Sequence, residues 1–284
     1  MLPARSANRR SRRVVPSPEG EAARLEHHER ALAAYVDSVR AAPGTVAVIA
    51  VGSVARGTER ADSDVDVYLV VDDAAFESAL AGNRLSWVER RDADYPGGYV
   101  DVKLASPGVL AAAAEAGDDP MRASFEGARV AFQRGGDLSA VLESIVTLPD
   151  EGWELRVCAH VAQARIHGGY FLPQAAAHDD AFLLQHAATH LALASARAAF
   201  AERRTLLRGP KYVAATLARL DLPPGFLERW RALVERPGVE EGALLLAALD
   251  DWLGPAIGPD ETLSTFIRDN ELAWLHGTLP PEYR

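Results

Sequence analysis

Asp64 and Asp66 are the residues whose spacing most needs a chemical reason. They open the run Asp64-Val65-Asp66-Val67-Tyr68-Leu69-Val70-Val71. The run is apolar and β-branched apart from its acids, so it reads as a strand with a period of two. Asp64, Asp66, Tyr68 and Val70 then share one face, and Val65, Val67, Leu69 and Val71 the other. Two carboxylates about 5 Å apart repel by roughly 3 kcal/mol at an effective dielectric of ~20. Three arrangements relieve this: one acid is protonated, both face water, or a cation sits between them. The third suits a hard divalent ion, and Mg²⁺ is commonly held by one or two carboxylates together with substrate phosphates. Upstream, Val48-Ile49-Ala50-Val51 ends in Gly52-Ser53, where a first strand hands over to a short helix. Glycine permits close backbone approach, and N–H groups beside a hydroxyl at a helix start suit phosphate. The residues read as a phosphate cradle beside a metal-binding acid pair. The plain alternative is a hairpin with a solvated acidic edge.

Several elements must hold these groups. Helical spacing of Leu25, Ala31, Ala34, Tyr35 and Val39 predicts a first helix over 19–42, stopped by Pro43-Gly44. His27 and His28 fall on its charged face, where a solvated role is expected. Strands are expected over 45–51 and 64–71, a short helix over 74–80, and strand-like structure over 87–91. After the Gly97-Gly98 turn, residues 99–104 read as a strand interrupted by Asp101. A carboxylate in a central strand is costly unless it is paired or metal-bound. Asp92 and Asp94 are its competitors, in a more turn-like context. An alanine-rich helix over 107–117 and a strand over 129–132 complete this half. Arg122 stands where it could reach a phosphate, or serve at the surface or in a salt bridge. Beyond Gly136 strand signals stop. Helices are expected over 153–167, 179–204, 211–220, 224–235, 239–253 and 261–275, separated by Gly/Pro breakers such as Gly168-Gly169. His186 and His190 share a helix face, but no third zinc ligand is evident, so packing or cleft lining is the expectation. The pattern divides the chain into a disordered basic arm (1–18), a first domain (19–140) and a helical domain (150–284).

Gly52-Ser53, Arg56-Gly57 and Ser63-Asp64-Val65-Asp66 together resemble the signature of the DNA polymerase β-like nucleotidyltransferase superfamily. The resemblance implies an α+β fold: a nucleotidyltransferase-like mixed β-sheet with flanking helices, followed by an all-α helical bundle domain. In organisation the chain resembles the aminoglycoside-type nucleotidyltransferases. The same resemblance implies that Asp101 is the third acid, that Asp64, Asp66 and Asp101 hold two Mg²⁺ ions, and that Gly52, Ser53, Arg56, Ser63 and Lys211 bind the nucleotide. The implied reaction moves a nucleoside monophosphate, AMP from ATP, to a hydroxyl of a small molecule, an antibiotic among the candidates. Asp101 could also serve as base. Asp179 and Asp180 open the long helix. There they either contact a cationic acceptor, as in the resembling enzymes, or simply cap the helix. Lys211 either binds the triphosphate or is an exposed helix-start lysine. Two other functions stand as alternatives: transfer to RNA or protein, and a non-catalytic, antitoxin-like binding protein with the same fold.

Composition narrows the partners. Of 284 residues, 48% are apolar and 25% charged, which is globular composition. The formal charge of −10 disfavours nucleic acid as a partner, because a phosphate backbone calls for a basic footprint. Cys158 is the single cysteine, so no internal disulfide can form. In its apolar helical pattern it reads as a small buried residue. No apolar run approaches membrane-spanning length, and the arginine-rich start lacks a signal-peptide core. A cytoplasmic protein without a membrane partner is the expectation, as a monomer or a homodimer.

Overall fold

The apolar runs on either side of Gly52 become neighbouring strands, and the rest of the sheet grows outward from that pair. The structure, a computed structural model, describes residues 26–281. The expected basic arm and the first turns of the first helix lie outside them. In chain order the sheet-bearing half contains α1 (Glu26–Val39), β1 (Thr45–Ala50), α2 (Gly52–Arg56), β2 (Val65–Val71), α3 (Asp73–Ala81), β3 (Ser86–Glu89), β4 (Val100–Ala105), α4 (Pro107–Ala116), α5 (Asp119–Ser124), β5 (Arg129–Gln133) and α6 (Ser139–Val146). The strand order is β3-β4-β2-β1-β5. β2 runs parallel to β4 and the other neighbours are antiparallel, so the sheet is mixed, as expected.

Both faces of the sheet are buried. Val65, Val67, Leu69 and Val71 pack with Val100, Val102 and the α1 residues Ala31, Leu32 and Tyr35. On the opposite face Tyr68 and Val70, beyond the two acids of their strand, are covered by Leu110 and Ala113 of α4 and by Leu142 and Ile145 of α6. Residues 137–150, read as the boundary between domains, therefore hold a helix that belongs to the sheet's own core.

The α1 stripe also corrects an expectation. His28 is fully buried with Ala31, Leu32 and Tyr35, at helical spacing, rather than solvated. Its Nε2 donates to the Ser63 carbonyl at 3.0 Å, which makes burial of the imidazole tolerable. Burial also lowers its pKa.

The second half is helical throughout. It contains α7 (Asp150–Ile166), α8 (Leu172–Ala177), α9 (Ala181–Glu202), α10 (Val213–Leu217), α11 (Phe226–Glu235), α12 (Val239–Leu253) and α13 (Thr262–Phe266). The 22-residue α9 is its axis. Alanines at 187, 188, 192, 194, 196, 198, 199 and 201 are all buried, so neighbouring helices can approach closely. Gly168 and Gly169 do not break the chain as expected. They sit in a π-helical turn, His167–Phe171, that carries α7 into α8. A Cβ at Gly168 would lie 3.0 Å from Leu191, so glycine there lets α9 close in. Cys158 is half-buried rather than fully buried, and its Sγ donates to the Ala256 carbonyl at 3.3 Å. Among the described residues no helix is long and apolar enough to cross a membrane.

Arg122 has a structural task rather than a phosphate. It is 3% exposed, and its guanidinium donates to the carbonyls of Gly117, Ile145, Ala114 and Glu115 at 2.8–3.3 Å. It thereby ends α4 and ties α4 to α6. Replacing it with Met leaves those buried carbonyls unpaired. Arg122→Met is expected to lower the unfolding free energy by on the order of 3 kcal/mol in urea denaturation. An unchanged midpoint would refute this role.

Candidate active site

The site starts from the backbone at Gly52. Its φ is +69°, a left-handed conformation that glycine adopts without strain. A Cβ built there would lie 2.1 Å from Oδ2 of Asp66. The missing side chain is thus the space that the Asp66 carboxylate fills. The Val51 N–H donates to the Asp66 carbonyl at 3.0 Å and locks the two strand ends together. From Gly52 the chain enters α2. Val51 at its N-cap offers no side-chain acceptor, so no side chain caps the first amides of the turn that Ser53 belongs to.

The acids come from two neighbouring strands. In the parallel pairing of β2 and β4, Asp66 stands directly opposite Asp101. Asp64 precedes β2 by one residue. Its position is fixed from behind, because the carbonyl of the preceding residue, Ser63, accepts from both His28 and the Tyr95 hydroxyl, the latter at 2.8 Å. The rings of His27, His28 and Tyr95 pack together in tilted and edge-on contacts, with centroids 4.1–4.9 Å apart. Ser63 is buried, and its hydroxyl accepts from the Arg60 N–H at 2.9 Å, closing the turn. Its visible work is to shape the loop.

Asp64, Asp66 and Asp101 line one cleft of about 650 Å³ together with Gly52, Ser53, Arg56, Ser63 and Lys211. The sequence reading therefore brought most of its expected residues to one place. It overlooked Lys103, Tyr99, Arg208 and Tyr212, which line the same cleft. Lys103 was legible in principle, since it follows Asp101 by two on β4 and so shares its face. Arg208 lies in the loop that ends at Lys211. Five cationic side chains (Arg56, Arg60, Lys103, Arg208, Lys211) and four carboxylates (Asp62, Asp64, Asp66, Asp101) line the cleft. A chain of net charge −10 thus keeps a local cationic wall.

Asp179 and Asp180 are not among the residues lining that cleft. Both are exposed. Asp180 caps α9, accepting from the Leu183 N–H at 2.9 Å, so the capping alternative describes it. Lys211 stands in a 3-10 turn, Pro210–Tyr212, just ahead of α10, with its Nζ 5.0 Å from the centroid of the Tyr212 ring. His186 and His190 lie away from the cleft and pack with His167, whose ring centroid is 4.8 Å from that of His190.

Electrostatics mark Asp66. Burial raises its pKa to about 6, the charges of Asp64 and Asp101 add to the rise, and Lys103 and Arg56 oppose it. Beside Asp64 the pKa of the Tyr99 hydroxyl rises. Among the described residues no three His, Cys, Asp or Glu side chains are already drawn together as a metal cage. The three aspartates line one cleft. Even so, their donor chemistry fits a hard divalent cation: oxygen ligands only, clustered negative charge, and an open side toward the cleft.

Two consequences can be measured. Alanine at position 52 must take a positive φ and displace the Asp66 carboxylate. Gly52→Ala is expected to cost about 2 kcal/mol in chemical denaturation; a neutral outcome would remove the close-approach argument. The second concerns pH. An Asp66 carboxyl that titrates near 6 when folded and near 3.8 when unfolded holds more protons in the folded state between those values. Stability of the ion-free protein therefore falls as pH rises from about 4 to about 6. Asp66→Asn is expected to abolish that slope and to stabilise the ion-free protein at pH 7 by up to about 2 kcal/mol. Thermal melts of both forms across that range, in chelator, check it.

Comparison with known proteins places this geometry. The family model described as Nucleotidyltransferase domain matches residues 33–107. A crystal structure of a nucleotidyltransferase-like protein from Exiguobacterium sibiricum 255-15 aligns with a TM-score of 0.46 at 17% sequence identity, covering 86% of this chain and 80% of that one. No curated protein matches the chain. The matched segment contains the Gly52-Ser53 bend and all three cleft aspartates, so the chain carries a nucleotidyltransferase domain signature in the very stretch that builds the sheet-side wall of the cleft.

Proposed function

We propose that the cleft catalyses nucleotidyl transfer, moving the nucleoside monophosphate of a nucleoside triphosphate, ATP in the first instance, to a hydroxyl of a small molecule. One observation carries this reading. The in-register carboxylates of Asp66 and Asp101, with Asp64, share one cleft of about 650 Å³ with the cations Arg56, Arg208 and Lys211. That volume lies in the usual range for small-molecule sites. Carboxylates and cations on one cleft surface suit a substrate that pairs phosphates with divalent ions.

The acceptor oxygen attacks the α-phosphorus while the bond from that phosphorus to the bridging oxygen of the β-phosphate breaks. Pyrophosphate leaves with the bonding pair, and the hydroxyl proton passes to a carboxylate. Asp101 serves as that base. Ser53 and the uncapped amides at the start of α2 bind the phosphate tail. Arg56, Arg208 and Lys211 supply positive charge where negative charge builds on the leaving pyrophosphate. Asp64, Asp66 and Asp101 would hold Mg²⁺, two ions by family resemblance, which would neutralise phosphate charge and activate the acceptor. Lys103, on the face of Asp101, moderates the repulsion within the acid group when no ion is bound. The small-molecule acceptor follows from the acidic chain and from a cleft in which acids nearly balance bases. With Asp179 and Asp180 outside the cleft, a polycationic acceptor has no special claim.

The test is a pyrophosphate-release screen of Mg²⁺-nucleoside triphosphates against hydroxyl-bearing small molecules, aminoglycosides included. Asp64→Asn and Asp66→Asn are each expected to lower turnover by on the order of 10²–10³-fold, with an unchanged circular dichroism spectrum. Full turnover in either variant would overturn the reading. So would calorimetry showing no Mg²⁺-dependent binding of any nucleoside triphosphate.

A further inference from the structure

We infer that Asp119 sets the separation of the two walls of the cleft, holding the cationic wall of the helical half at a fixed distance from the aspartate wall of the sheet half. The consequence for nucleotide binding rests on the function proposed above. The positional role does not.

Asp119 begins α5, in the sheet-bearing half, and its side chain is only 6% exposed. Its carboxylate gathers partners from three other segments. Arg156 of α7 donates from Nε at 3.3 Å, and Nη2 of Arg197 of α9 lies at 3.8 Å. The backbone N–H of Leu207, in the segment after α9, donates at 3.5 Å. Arg197 is itself 3% exposed and also donates to the Pro281 carbonyl. The chain neighbours of this knot are cleft residues on both sides. Pro120 follows Asp119 directly, and with Ala123 and Ser124 it lines the sheet-side wall. Arg208 follows Leu207 directly, and with Lys211 and Tyr212 it lines the opposite wall. One buried carboxylate is therefore a single residue away from each wall. A second tie points the same way at the surface, where Arg208 donates to Glu126 at 2.9 Å.

A buried ionic cluster contributes little net stability, because desolvation offsets attraction. Its geometry is strict, however. Two donors and a facing guanidinium, from separate segments, meet one carboxylate in only one placement of those segments. Asp119 does not line the cleft, so its role is positioning.

The test combines hydrogen exchange with nucleotide binding on the full chain. Asp119→Asn keeps the size and one acceptor oxygen but removes the charge. It is expected to raise amide exchange about tenfold over 204–212, while β2 and β4 stay protected. It is also expected to raise KM for the nucleoside triphosphate by about tenfold with kcat changed far less, since the phosphate-binding wall shifts while the acids do not. Exchange that rises uniformly over the chain, or does not rise in that segment, overturns the inference. If Asp119→Asn fails to fold, Arg156→Gln removes one partner and leaves the carboxylate paired with Arg197. The same localised exchange is expected, and its absence again overturns the inference. If the wild-type chain binds no nucleoside triphosphate but the exchange result holds, the wall-setting role stands and only the nucleotide reading fails.

Discussion

The contact on which the site depends is the carboxylate of Asp66 lying in the space where residue 52 has no side chain. It joins the end of one strand to the start of the next and fixes how the chain turns into α2. It also buries an acid beside two others, which is unfavourable in isolation: its proton affinity rises well above the usual carboxylate range. A fold keeps such an arrangement where charge must be concentrated for chemistry. The surrounding structure supports it by rigid means. β4 brings Asp101 opposite by register, and His28 with the Tyr95 hydroxyl grips the Ser63 carbonyl just ahead of Asp64.

The helical half answers a different need. Its alanine-lined axis packs helices tightly and leaves few side chains to spare, and the cations it lends the cleft come from the short irregular stretch after α9. Arg208 in that stretch and Lys211 and Tyr212 in the 3-10 turn that follows line the cleft in close succession. Anchoring such a stretch requires contacts of its own, and the carboxylate at the start of α5 provides one.

What could be read from residues alone was the part governed by short periods. Alternation gave the face that Asp64 and Asp66 share, and the family resemblance, not periodicity, set Asp101 beside them. The strand order β3-β4-β2-β1-β5 was not read from the sequence. What escaped was set by long-range contact. His28 looked solvated because a lone polar residue in an amphipathic helix carries no signal of the carbonyl it meets 35 residues later. Residues 139–146 looked like a boundary because Gly135-Gly136 and Pro149 punctuate them, although Leu142 and Ile145 lie in the sheet's core. Arg122, which could be read as a phosphate contact or as a surface or salt-bridge residue, is buried against carbonyls from separate segments. Asp180 shows the reverse: the local capping rule described it better than any remote role.

The parallel pairing of β2 with β4 has a consequence for how the chain matures. Parallel strands cannot join through a tight turn, so Asp66 and Asp101 become neighbours only after a long crossover through α3 and β3 has closed. Closing that loop costs chain entropy before the central ladder returns any stabilisation, which places it late in assembly. The antiparallel β1–β2 unit, with its glycine bend, forms from residues close in sequence and can exist earlier. A newly synthesised chain therefore holds Asp64 and Asp66 without Asp101 beside them until the middle of the sheet is complete.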